Sequence, residues 1–341
     1  MYDVTGIGDT FVDVVANVTQ EFIEKNNLIK GQGNTLSVRT LREMRRELES
    51  SRVIPGGAAA NTIASLASLG ARCAFIGKAC TDTMGEKFKK AFDDAGVRMC
   101  VPLVDFDRDA DKATPRCLVL VTPDHDRTFA FNMGICEEID VRDIDVDVIK
   151  NSKILFVEGQ MLVSRRARAG VLYALQTAKQ NGVKVAFNMH DLNFRALAVQ
   201  EVIETIRTQS DILIGNEREV RSCFELDEKT DIDSFFNILS ARNQILVMTR
   251  GGNGAYIFSH KGIESVPSEN HLSIIDSTGA GDAFAAGFLF GIAKGMTTLA
   301  AGKLAALTAA EILRHWGGRP EIDLGKKLSA YIESVMPHQS A

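Results

Sequence analysis

The run Asp276-Ser277-Thr278-Gly279-Ala280-Gly281-Asp282-Ala283-Phe284 leads straight into an apolar stretch at 285–293. Small side chains let consecutive backbone N–H groups turn toward one point. The positive end of a following helix adds to them, so this segment suits an anion, with phosphate the obvious candidate. Taken alone, Asp282 is better explained as a helix cap. Asn216 and Glu219 stand three residues apart after the strand-like run 211–215, the spacing of a capping box. Gly56-Gly57 precedes Asn61, where paired glycines allow either a tight turn or close approach of a ligand. Two commoner phosphate loops are missing. No G-x-x-x-x-G-K-S/T occurs, and Gly6-x-Gly8 and Gly279-x-Gly281 meet Phe11 and Phe284 where a dinucleotide fingerprint needs its third glycine. A dehydrogenase is therefore poorly supported.

Such residues need a scaffold. The chain has 341 residues, 45% of them hydrophobic and 24% charged, which places it among globular proteins. A net charge of −5 provides no field for a polyanion, so no nucleic-acid partner is expected. The charged segment 39–52 reads as the solvated face of a helix. Six scattered cysteines form neither a zinc ribbon nor a disulfide framework. No apolar run approaches the ~18 residues of a membrane span, and the N-terminus lacks the pattern of a signal peptide. The expectation is a cytoplasmic protein without membrane contact.

Apolar, β-branched runs of strand length recur at 4–7, 73–76, 117–121, 154–157, 183–187, 212–214, 245–248 and 255–258. Helical periods fall between most of them, at 61–69, 86–95, 165–180 and 199–207, several closed by glycine. Alternation of this kind predicts a Rossmann-like α/β fold, a mostly parallel sheet with helices on both faces. Two stretches break it, 11–38 and 101–133, with strand-like pieces around polar turns such as Pro123-Asp124-His125-Asp126. They predict a small β-sheet lid made from two insertions, 11–49 and 101–133, on a core formed by 1–10, 50–100 and 134–341. An accessory sheet suits a lid over the strand carboxyl ends, where open α/β sheets bind ligands.

Read together, the motifs are specific. The 276–284 segment resembles the C-terminal signature of the ribokinase-like (PfkB) family of carbohydrate and nucleoside kinases. Gly56-Gly57-Ala58-Ala59-Ala60-Asn61 followed by 66–70 resembles its N-terminal one. Asn216-Glu217-Arg218-Glu219 resembles the family's N-x-x-E element, and Thr249-Arg250-Gly251-Gly252-Asn253-Gly254 its nucleotide loop. The four lie in the family's order over nearly the whole chain. The resemblance implies transfer of the γ-phosphoryl of ATP to a sugar hydroxyl, with Asp282 as general base and the N–H groups of Gly279, Ala280, Gly281 and Asp282 holding the developing charge. It implies that Asn216 and Glu219 place Mg²⁺ through its waters, that Thr249, Arg250, Gly251, Gly252 and Gly254 lie at the ATP, and that Asp276 and Thr278 form a monovalent-cation site for K⁺. It places Asp13 on a pair of acceptor hydroxyls, with Asn61, Gly56 and Gly57 on the same sugar.

The stretch after Asp13 resembles the adenosine-kinase branch, which makes a nucleoside the expected acceptor. Phe131, with Phe129, Met133 and Phe11, would then be the floor under a base, or else the packing of the lid onto the core. Two features point instead to free sugars. Asp9, counted with the acceptor residues, stands where adenosine kinases usually carry Asn, and Asp191-Leu192-Asn193-Phe194-Arg195 resembles the D-x-N-x-R element of sugar kinases. A sugar kinase is thus the alternative. A nucleotide-binding module without catalysis is the reading from another class, and a monomer and a homodimer are both compatible.

Overall fold

The computed structural model describes residues 1–106, 112–124, 126–189, 199–227, 229–232, 236, 244–269 and 273–337. In chain order the described strands are β1 (Tyr2–Ile7), β2 (Val12–Asn17), β3 (Gly33–Thr35), β4 (Arg52–Pro55), β5 (Cys73–Ile76), β6 (Arg98–Met99), β7 (Arg116–Val121), β8 (Arg127–Asn132), β9 (Ser152–Glu158), β10 (Lys184–Asn188), β11 (Ile212–Asn216), β12 (Ile245–Thr249), β13 (Ala255–Ser259) and β14 (Gly262–Val266). Nine form a large sheet in the order β14-β13-β12-β11-β10-β9-β1-β5-β6. From β12 to β6 every pairing is parallel, and β13 and β14 add an antiparallel edge.

Alternating side chains on the apolar strands divide between two cores. Ile154 and Phe156 join the cluster under the helices Ala58–Ser68, Ala280–Ala293 and Thr298–Ile312, whereas Leu155 and Val157 join the one under Arg165–Gln180. Both faces are thus covered, which is why these strands carry no polar alternation. Gly70, Gly96 and Gly182 follow helix ends with φ of +90°, +69° and +68°, the left-handed stop that glycine adopts without strain.

The remaining strands make a second sheet, β3-β8-β7-β2-β4. Val12, Val14 and Leu118 pack inward against Leu41 and Met44 of the helix Val38–Arg46. Asp13, Cys117 and Phe131 are directly paired across β2, β7 and β8 and therefore share the opposite face. Two details differ from the sequence reading. Within the stretch 11–38, expected to hold strand-like pieces, β3 ends at Thr35 and a helix begins at Val38, where Ser37 caps it. Strand β4 pairs with β2, so the smaller sheet takes chain as far as Pro55, past the expected boundary at 49. No described helix is long and apolar enough to cross a membrane.

Candidate active site

Gly279 caps the helix Ala280–Ala293 at φ +75° and no side chain caps it. A Cβ on Gly279 would lie 2.3 Å from Gly318 Cα, so only glycine fits. Asp282 is the third residue of that helix, so the capping account of it does not hold. Instead the Asn61 amide donates to Asp282 Oδ2 at 3.0 Å, and the Thr62 hydroxyl donates to the Asp282 carbonyl at 3.2 Å. Both come from the helix Ala58–Ser68, whose cap Gly57 has φ +88°. The two glycine motifs are therefore in direct contact. Ala280 N–H is drawn to Ser277 O at 3.4 Å, while a methyl on Gly281 would meet nothing within 4 Å. Gly281 thus faces open space at the positive end of a helix.

At the acceptor end, a Cβ on Gly56 would lie 2.4 Å from Asp13 Oδ2, which brings the glycine pair against that carboxylate. Burial pushes the Asp13 carboxyl up to about 7, opposed by the charge of Arg319. Burial likewise pulls the Arg319 guanidinium down to about 9, opposed by Asp13. Asp9 does not join this cleft. It is 2% exposed and lies near Cys136, whose thiol is pushed up by burial and by the charge of Asp9. The Asp9 and Ala59 N–H groups both donate to Glu158 Oε2, at 3.3 and 3.2 Å. This buried carboxylate at the end of β9 ties the first strand's loop to the helix start. Phe131 sits edge-on to Phe11 at 6.5 Å on the Asp13 face of the small sheet, and Phe129 is exposed. They are not part of the lid's inner packing. Met133 is buried beyond the end of β8.

On the other side of Asp282, a cavity of about 520 Å³ is lined by Thr249, Gly251, Gly252, Gly254, Ser277, Ala280 and Gly281, with Ile274, Phe284, Ala306, Ala309, Ala310 and Leu313 forming its apolar walls. A smaller space of about 230 Å³ joins Asn216, Glu219, Thr249, Gly281 and Asp282. Arg250 lines neither. Its guanidinium lies 4.7 Å from the Tyr256 ring centre and 3.5 Å from Glu217 Oε2. Asn216 and Glu219 form the capping box: Glu219 N donates to Asn216 Oδ1 at 3.0 Å, and Asn216 N to Glu219 Oε2 at 2.8 Å. Box and cavity position coexist.

Asp276 and Thr278 do not offer the open oxygens that a monovalent cation needs. Arg127, from β8, donates to Asp276 Oδ1 at 2.8 Å and to the Thr278 hydroxyl at 3.0 Å. The Gly317 N–H takes Asp276 Oδ2 at 3.0 Å. Burial opposes the charge of Asp276, but the Gly317 and Thr278 N–H groups, the Thr278 hydroxyl and Arg127 hold its carboxyl below the ordinary carboxylate range. The guanidinium already supplies the positive charge, so the residues present do not fit K⁺ as the resemblance implied.

The D-x-N-x-R element at 191–195 lies outside the described residues. Four contributors escaped the sequence reading: Arg127, Arg319, Glu158 and the wall Ala306-Ala309-Ala310-Leu313. Only the last left a local signal, its i, i+3, i+4, i+7 spacing, which usually marks ordinary packing.

The chain is 28% identical over 268 residues to the 5-dehydro-2-deoxygluconokinase of Clostridium perfringens, covering 76% of this chain and 78% of that one. Among solved structures it is similar to an adenosine kinase from Sinorhizobium meliloti, with TM-score 0.86 and 29% identity over 96% of this chain and 99% of the other. A probable sugar kinase from Rhizobium etli CFN 42 also superposes with TM-score 0.86, at 26% identity over 96% and 98% of the two chains. The profile described as pfkB family carbohydrate kinase matches residues 29–323, and with that extent the chain belongs to the pfkB family of carbohydrate kinases, phosphotransferases that act on an alcohol group.

Proposed function

We propose that this kinase transfers the γ-phosphoryl group of ATP to a hydroxyl of a free sugar or sugar acid of the 5-dehydro-2-deoxygluconate class. The observation that carries the phosphoryl-transfer half is the position of Asp282, which lines the smaller phosphate-side space and is bonded by Asn61, itself bonded by Arg319, whose charge acts on Asp13. Asp282 takes the proton of the attacking hydroxyl, and the N–H groups at the start of the helix Ala280–Ala293, Gly281 foremost, hold the charge that builds on the phosphoryl oxygens. Asp13 accepts two hydroxyls of the acceptor.

The larger cavity has the size and composition for a nucleotide, with an apolar slot for the base and glycine backbone near the phosphates. Among the described residues no three His, Cys, Asp or Glu gather in a group that could hold a metal. The single carboxylate of Glu219, one oxygen of which is committed to Asn216 N, suits Mg²⁺ that keeps its waters and binds phosphate oxygens. Bound there, the ion would neutralise phosphate charge.

The acceptor class rests on the name of the curated relative, together with a charged Asp13–Arg319 floor that suits a strongly hydroxylated or acidic molecule. Phe131 and Phe11 on the Asp13 face, and the likeness to an adenosine kinase, favour a nucleoside as the second reading. ADP release with Mg-ATP across 5-dehydro-2-deoxygluconate, 2-keto-3-deoxygluconate, fructose, ribose, adenosine, inosine and guanosine separates them. Turnover on the sugars or sugar acids is expected, and turnover confined to nucleosides overturns the acceptor assignment. Asp282→Asn should lower kcat about 10²–10⁴-fold with ATP affinity little changed. Near-native turnover in that variant would remove Asp282 as the base.

A further inference from the structure

Arg319 belongs to none of the family motifs, yet its guanidinium connects the two carboxylates of the site. It lies 4.9 Å from the ring centres of both Phe88 and Phe92, which fix its plane. From there Nη2 donates to the Gly56 carbonyl at 3.2 Å and Nε donates to Asn61 Oδ1 at 3.3 Å. Nη1 is buried without a hydrogen-bond partner, so this charge is held in place by its neighbours rather than by water. Asn61 in turn donates from Nδ2 to Asp282 Oδ2 at 3.0 Å.

The chemistry of the three groups fixes the order of this chain. A guanidinium can only donate and an ionised carboxylate can only accept. An amide between them satisfies both in a single orientation, oxygen toward Arg319 and nitrogen toward Asp282. Without the guanidinium, nothing described here holds the amide oxygen, and the amide can turn its oxygen toward the carboxylate. The backbone is also pinned at this point, because a Cβ on the neighbouring Gly318 would lie 2.6 Å from Asn61 Nδ2.

We propose that Arg319 is a positioning residue for phosphoryl transfer: by fixing the Asn61 amide it holds the Asp282 carboxylate toward the acceptor hydroxyl. The inference rests on Asp282 acting as the proton acceptor. It makes the segment 314–320, which lines neither of the phosphate-side cavities, part of the working site.

A double-mutant cycle on the full chain tests it, reading ADP release with the best acceptor found and with water alone as acceptor. Arg319→Met should lower kcat roughly 10- to 10²-fold, the cost of a misplaced reacting group, with KM for ATP within about twofold. In an Asn61→Ala background the same change should cost less than about twofold, because the route to Asp282 is already cut. Losses that multiply, or a kcat unchanged by Arg319→Met, overturn the proposal. Circular dichroism checks folding. If the Met variant unfolds, Arg319→Lys, which keeps the charge but not the fork, takes its place in the cycle and is judged by the same additivity. Retained turnover in Asp282→Asn would strike the underlying role of Asp282 instead, a different result from an additive cycle.

Discussion

The Arg127 guanidinium and the Asp276 carboxylate meet at 2.8 Å, joining the second strand of the lid hairpin to the first residue of the anion loop. Asp276 is 6% exposed, and Gly317 N holds its other oxygen. The contact spans 149 positions of sequence and closes the lid edge onto the loop that ends in Asp282.

One consequence concerns salts. With a side-chain cation in this position, replacing K⁺ by N-methyl-D-glucamine should change the rate of ADP release by less than about twofold. Arg127→Gln should slow the enzyme and make the remaining rate K⁺-dependent, since the freed carboxylate and hydroxyl then resemble an open cation site. Strong K⁺ activation of the unaltered protein would contradict the assignment of this charge to Arg127.

Asp13 gives a pH dependence whose sign is fixed. Its folded carboxyl is raised to about 7 by burial, against an ordinary value near 4. Between those values the native chain keeps a proton that the unfolded chain has released, so this residue's contribution to stability falls as pH rises from about 4 to about 7. Asp13→Asn carries no such proton. Its unfolding temperature should therefore gain on the unaltered protein across this window and level off above it. The acceptor KM of the unaltered protein should rise as pH falls below about 7, because a protonated carboxyl loses acceptor capacity, while KM for ATP stays flat. A flat acceptor KM from pH 5 to 8 would count against hydroxyl binding by Asp13.

Two glycines of one motif should respond in opposite ways. Gly279→Ala forces a left-handed alanine, at a cost of about 1–2 kcal/mol, and drives its methyl into the Gly318 backbone, so the unfolding temperature should fall together with activity. Gly281→Ala adds a methyl to open space inside the helix's first turn, so stability should move by no more than about 0.5 kcal/mol. That methyl enters both phosphate-side cavities, so kcat should nevertheless drop roughly 10²-fold. Thermal unfolding and ADP release, measured on both variants, check the contrast. Equal loss of stability in the two would mean that Gly281 is structural.

Much of this protein could be read locally. Glycine stops, apolar strands and the Asn216–Glu219 box depend on residues within one or two turns of each other, where backbone geometry and the hydrophobic period leave few choices. The order of four such motifs then indicated the fold and the kinase chemistry. Contacts between distant segments were out of reach. Asn61 and Asp282 are 221 positions apart, and Arg319 and Asn61 are 258 apart. Asp9 and Asp13 looked equivalent as acceptor residues, but the register of β2 turns Asp13 into the cleft while Asp9 is buried against Cys136. Arg127 and Arg319 drew no reading from the sequence because an arginine shows no local sign of its partner. Strand pairing and lid placement bring a carboxylate to one and an amide to the other, and a buried carboxylate and a buried guanidinium need partners that short-range sequence does not name.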